Sequence, residues 1–212
     1  MTHTYQEQKF NLPDLKNISA KQLEVHLGLY GGYVKHVNLL REKVHELEEE
    51  DPTAPSGARQ AGKDGMGYPV AELRRRLGFE FSGMRMHEYY FEQWENAARE
   101  VDASSPLATS LGEKYADWNG FLDHFKTIAG GTRGIGWTIL YFDPKGNTPH
   151  TAWVSDHELG QLAGLPVLLA LDMWEHAYMV DYTPAEKKKY IEAFFENLNW
   201  NVVEKRFDEA KR

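Results

Sequence analysis

Apolar and polar positions repeat with two different periods along this chain, and the change comes near residue 130. Between Asn17 and Glu50, Leu23, Leu27, Tyr30, Val34, Val37 and Leu40 recur at helical spacing, and Ser19 with Gln22 has the form of a capping box. The pattern predicts a long first helix. Inside it, Gly31 and Gly32 cost about 1 kcal/mol each relative to alanine, which points to a close backbone approach or a local distortion. "DPTAPSGARQAGKDGMG", Asp51 to Gly67, has the composition of a loop. Helical spacing resumes in "YPVAELRRRL" and continues through "SGMRMHEYYFEQWENAARE" to Glu100. Ser105-Pro106 is an N-cap followed by proline at the first helical position, and it opens one or two helices that reach Ile128 and stop at Gly130-Gly131.

Beyond that point the runs shorten and become β-rich. "GWTILYF", "HTAWVS" and "LPVLLAL" read as strands, the first two joined by the turn-like "DPKGNTP". Thr183-Pro184 with Glu186 predicts one closing helix, "PAEKKKYIEAFFENLNW". The element order predicts an α+β fold. An N-terminal helical hairpin domain is expected over 1–104, with a loop insertion at 51–67. A C-terminal α+β domain is expected over 105–212, with a three-stranded antiparallel sheet flanked by helices.

Composition narrows the chemistry. Cysteine is absent, which removes disulfides, thiolate nucleophiles, iron–sulfur clusters and cysteine-type zinc sites. Any metal must be held by nitrogen and oxygen, as Fe, Mn, Zn or Mg can be. A net charge of −8 argues against general nucleic-acid binding. The longest apolar run is too short to cross a bilayer, so no membrane partner is expected. "MTHTYQEQKF" has neither the basic start nor the apolar core of a secretory signal, which predicts a cytoplasmic protein.

Of the nine histidines, three stand in apolar or aromatic surroundings. His26 lies among Val25, Leu27 and Leu29; His87 is flanked by Met84, Met86, Tyr89, Tyr90 and Phe91; His176 follows the apolar run that ends at Asp172. A hydrogen-bonded core histidine is the ordinary explanation for any one of them. Taken with Asp172, the three make a nitrogen-and-carboxylate set of the kind that redox-active Fe or Mn uses. His87-Glu88 and His157-Glu158 do not complete H-E-x-x-H, because Phe91 and Gln161 fill the fifth position. "GGTRGIG" follows a helix and has neither dinucleotide-binding spacing nor a phosphate-loop lysine. A metal-free structural protein and a different metalloenzyme, such as a zinc hydrolase or a non-haem oxygenase, remain as rivals.

"DMWEHAYMVDY", Asp172 to Tyr182, resembles the D-x-W-E-H-A-Y signature of the iron/manganese superoxide dismutases. "FNLPDL", "ISAKQLEVH", "MHEYYFEQW", "RGIGWTIL" and "LNWNVVEKRF" are similar to other parts of that family, so the likeness covers nearly the whole chain apart from Asp51–Gly67. The resemblance implies that His26, His87, Asp172 and His176 hold one Fe or Mn ion per subunit, with a fifth position open to solvent. It implies that Tyr33 guards the approach of superoxide and that Trp137 and Trp174 wall the site. The family places a glutamine against the solvent from the second helix or from the strand region. Gly83 stands at the first position and leaves room there, and His157 stands at the second as a donor. A homodimer is implied too, with Glu175 reaching the partner subunit's His176. One interface pair of the family is replaced, since Tyr30 and Met179 stand at its histidine and tyrosine. Arg85, Arg133 and Lys35 are candidate cations for drawing in an anionic substrate.

Overall fold

In a computed structural model that describes residues 3–49 and 67–212, two long helices form a hairpin, and a sheet with four further helices follows. Helix α1 spans Ala20–Glu49 and helix α2 spans Gly67–Glu92. The expected loop at 51–67 lies outside the described residues, save Gly67, which begins α2. Helix α1 runs unbroken through both glycines. A Cβ on Gly31 would meet the Glu7 carboxylate at 3.0 Å, whereas Gly32 faces nothing within 4 Å. The glycine pair therefore marks one close approach, by the N-terminal arm, and no distortion.

Helix α2 is continuous, but it ends at Glu92 rather than near Glu100. Asn96 and Ala97 take positive φ angles of 61° and 67°, which a helix cannot contain. The region after Ser105 divides into α3, Pro106–Tyr115, and α4, Trp118–Gly131. Ser105 caps the first through the Ala108 amide at 3.1 Å, and Asp117 caps the second through the Gly120 amide at 2.7 Å.

Strands β1 (Trp137–Asp143), β2 (Thr148–Val154) and β3 (Val167–Asp172) form an antiparallel sheet in the order β2-β1-β3. Six of the seven β1 residues are buried, as expected of a central strand covered on both faces. Register sets Trp137 of β1 opposite Asp172 of β3, so the functional end of β3 lies beside the start of β1. A 3₁₀ turn at Glu175–Ala177 follows β3. Thr183 and Glu186 complete a capping box at a second 3₁₀ turn, Pro184–Glu186, which runs into α5, Lys187–Glu196.

The single closing helix of the sequence reading is in fact two, because α6 occupies Trp200–Ala210. Asn197 and Asn199 make the break by spending their side chains on backbone groups of Lys16, Ala193 and Glu95. Asn199 also caps α6. Trp200, Val203 and Phe207 then bury one face of that helix. Asn199→Ala should cost about 1–2 kcal/mol of folding stability in urea titration, through the lost cap and an unpaired Glu95 carbonyl, and should leave the metal content unchanged.

Candidate metal centre

Four side chains, one each from two helices, a strand and a turn, meet at one point. Helix α1 supplies His26, α2 supplies His87, the last residue of β3 supplies Asp172, and the following turn supplies His176. One Asp172 oxygen, Oδ2, lies 3.1 Å from His26 Nε2, 3.2 Å from His176 Nε2 and 3.6 Å from His87 Nε2. His87 Nε2 and His176 Nε2 are 3.3 Å apart. All four donor atoms lie within 4.8 Å of one another.

Neighbouring donors on bonds of about 2.1 Å sit about 3.0 Å apart at a right angle and about 3.6 Å apart at 120°. The observed spacings fall in that interval. The electrostatics agree. His87 Nδ1 donates to the Gly83 carbonyl at 2.7 Å, so its Nε2 turns a lone pair inward. Burial lowers the His26 and His87 pKa values against the pull of Asp172, and both rings stay neutral. Burial alone would raise the Asp172 carboxyl, but His176 and His26 outweigh it and hold the group ionised. A buried carboxylate oxygen faced by three imidazole nitrogens is a site for a cation, and this donor set fits Fe or Mn.

Asp172 is aimed by the chain around it. Its Oδ1 accepts the Trp174 amide at 2.8 Å, which leaves Oδ2 for the centre. Its carbonyl accepts the Tyr190 hydroxyl at 2.7 Å.

Tyr33 lies two helical turns after His26 and so shares its face. Its hydroxyl is 2.7 Å from His157 Nε2, and the Trp137 indole donates to His157 Nδ1 at 3.0 Å. Indole is only a donor, so His157 accepts at Nδ1 and carries its proton on Nε2. Burial lowers the His157 pKa to about 4 and raises that of Tyr33, with the Asp172 charge adding to the latter. Near neutral pH, His157 is therefore a neutral donor to an un-ionised Tyr33.

Trp174 stacks on His157 at a centroid distance of 4.7 Å and an interplanar angle of 16°. Its indole nitrogen is buried and has no partner among the described residues. Glu175, by contrast, is exposed. Gly83 was read as leaving room, but Tyr33 fills that room: a Cβ there would meet Tyr33 Cδ1 at 2.7 Å.

Two residues escaped the sequence reading. Phe79 lies 4.7 Å from the His157 ring and 6.3 Å from the Tyr33 ring, with the Arg76 guanidinium 4.5 Å over its face. The i, i+3 spacing of Arg76 and Phe79 carried no signal, since any helix surface shows it. Arg85, one of the proposed cations, is tied to Glu88 at 2.5 Å and lies over Tyr5 and Phe81. Tyr30 is buried inside the subunit, where its hydroxyl accepts the Gln8 amide and donates to Glu88.

A helical hairpin joined to a three-stranded α+β unit, with two buried imidazoles, a half-buried third and one buried carboxylate gathered between them, defines a class of mononuclear redox-metal protein. Residues 103–206 match the model for the iron/manganese superoxide dismutases, C-terminal domain. The chain is 31% identical to a superoxide dismutase [Fe] of Aquifex pyrophilus, covering 94% of this chain and 88% of that one. Identity is 28% to a superoxide dismutase [Fe] of Sulfolobus acidocaldarius, over 97% of both chains. It is 31% to a superoxide dismutase [Mn] of Corynebacterium diphtheriae, over 73% of this chain and 76% of that one. The chain belongs to the iron/manganese superoxide dismutases.

The Gly83–Tyr33 contact yields a sharp expectation. Glycine to alanine inside a helix normally stabilises by about 1 kcal/mol. Here the methyl group would displace an aromatic ring packed between two helices, and overpacking of that kind costs about 1–3 kcal/mol. Gly83→Ala should lower both the melting temperature and the dismutase activity; a more stable, fully active variant would refute the contact.

Proposed function

We propose that His26, His87, Asp172 and His176 hold one iron or manganese ion per subunit and that the protein converts two superoxide anions and two protons to oxygen and hydrogen peroxide. The convergence of these four donors carries the reading. When bound, the ion would supply the one-electron couple that this reaction needs.

The protein's own residues supply shape and protons. With a single carboxylate among the four donors, a di- or trivalent ion would leave the centre net positive for an anionic substrate. Tyr33 is the proton donor to the reacting molecule in this reading, and His157, oriented by Trp137, holds the Tyr33 hydroxyl by a hydrogen bond. Trp137, Trp174 and Phe79 keep the walls apolar. The resemblance gives His157 the place of the family's glutamine; with its Nδ1 taken by Trp137 and its Nε2–H given to Tyr33, it acts on the centre through Tyr33.

The same reading divides the chain into domains 1–104 and 105–212, a division supported by the matched C-terminal domain, which begins at residue 103. It also makes the protein a homodimer in which Glu175 reaches the partner subunit's His176. Exposed Glu175 and the neighbouring Met179 and Val180, each 47% exposed, support that contact. Among the described residues no helix is long and apolar enough to cross a membrane.

Two measurements test these statements. His87→Ala should lose its metal in elemental analysis and should have no dismutase activity after loading with either Fe or Mn; retained metal with full activity would remove His87 from the ligand set. In sedimentation equilibrium the protein should be a dimer, and Glu175→Ala should dissociate more readily. A fully active monomer would overturn the interface.

A further inference from the structure

The four donors sit on separate segments, and their spacing depends on what ties those segments together. Two buried glutamines do so in the same manner. Gln22 lies one helical turn before His26 on α1 and is 1% exposed. Its Nε2 donates to the backbone carbonyl of His176 at 2.6 Å, and its Oε1 accepts the Val180 amide at 3.0 Å. Gln93 directly follows α2, six residues after His87, and is fully buried. Its Nε2 donates to the Ala170 carbonyl at 2.8 Å, and its Oε1 accepts the Ala170 amide at 2.7 Å. Strand β3 is at the sheet edge, so Gln93 supplies the two hydrogen bonds that a neighbouring strand would give, two residues before Asp172.

Each carboxamide uses both ends, and each joins a helix bearing a histidine donor to the β3–turn segment bearing the other donors. Gln22 couples His26 to His176, and Gln93 couples His87 to Asp172. The capping box read at Ser19 and Gln22 is only half formed: Ser19 Oγ accepts the Gln22 amide, while the Gln22 side chain is turned to His176.

We infer that Gln22 and Gln93 are positioning residues that set the distance between the two helical imidazoles and the β3–turn donors, and so govern how tightly the ion is held. Neither touches the donors' coordinating atoms. Each acts through the backbone of the segment that aims them, in the way that partners one bond removed from a ligand tune a metal site. This inference rests on the metal-ligand reading above.

The test uses the Mn- or Fe-loaded protein. Gln22→Met and Gln93→Met keep side-chain length and remove both amide ends. Each should speed metal loss to EDTA by about tenfold, the low end of the range for such partners, and should alter the electron paramagnetic resonance spectrum of the bound ion. Gln22→Glu and Gln93→Glu keep the accepting oxygen and lose the donor, and should fall between wild type and the methionine variants. Asn197→Leu is the control. It removes a buried carboxamide that bonds to Lys16 and Ala193 backbone groups away from the donors. It should lower stability while keeping the native spectrum and release rate.

Native spectra and release rates in both methionine variants would overturn the inference, as would changes that Asn197→Leu reproduces. If the methionine variants do not fold, the glutamate variants decide the matter by the same readouts. A wild-type protein that held no ion would remove the ligand reading and this one together. A metal-holding wild type with unaffected variants would remove this one alone.

Discussion

The structure depends on one ionised carboxylate placed where water cannot reach it. Asp172 is fully buried, and its Oδ2 faces three imidazole nitrogens instead of an arginine or lysine. A charge in such a place is tolerable only with a compensating cation. The arrangement of the chain follows from delivering that oxygen. The last residue of an edge strand brings it in, the Trp174 amide two residues on donates to its second oxygen, and one 3₁₀ turn returns His176 to the same point. The helical hairpin then closes over the opening with one imidazole from each arm.

Around this charge the hydrogen bonds have a direction. The Trp137 indole can only donate, which makes His157 an acceptor on one side and a donor on the other. His157 thus donates a hydrogen bond to the Tyr33 oxygen, and the Tyr33 proton is left for whatever anion lies beside the centre. Burial keeps both groups in the protonation states that this order needs near neutral pH. A glutamine at the His157 position could also accept on one side and donate on the other. The imidazole does so through a rigid ring that stacks on Trp174, so its orientation is held by packing as well as by hydrogen bonds.

Much of this was legible in the residues. The Asp172–His176 spacing, the aromatic flanks of His87 and the helical face shared by His26 and Tyr33 are local features, and local features survive in a linear pattern. The helix α6 escaped although Trp200, Val203 and Phe207 have helical spacing, because nothing local showed that Asn197 and Asn199 would break the preceding helix. Gln22 was misread for a related reason. Its capping-box spacing with Ser19 is real, but the carbonyl that claims its amide belongs to a residue 154 positions away. Gln93 gave no signal, since its partner is the backbone of a strand and backbone atoms leave no trace in residue identity. The insertion at 51–67 lies outside the described residues.

Gly83 and Tyr30 both involve a tyrosine ring held within the subunit. Where the second helix has no side chain at Gly83, the Tyr33 ring lies against the bare backbone, and the same residue's carbonyl takes the His87 proton. A larger residue there would have to displace the ring and would disturb the acceptor that fixes the His87 tautomer. At Tyr30, the phenol sits inside the subunit, between the arm carrying Gln8 and the buried Glu88. Burial and the neighbouring carboxylates raise its pKa to about 12, partly opposed by the Gln8 amide, so it stays a neutral donor. Its hydroxyl is thereby committed within one subunit, and an exposed Met179 has no hydrogen bond to offer in exchange. The polar group proposed above for a contact between two copies is the Glu175–His176 turn, whose backbone Gln22 holds against α1.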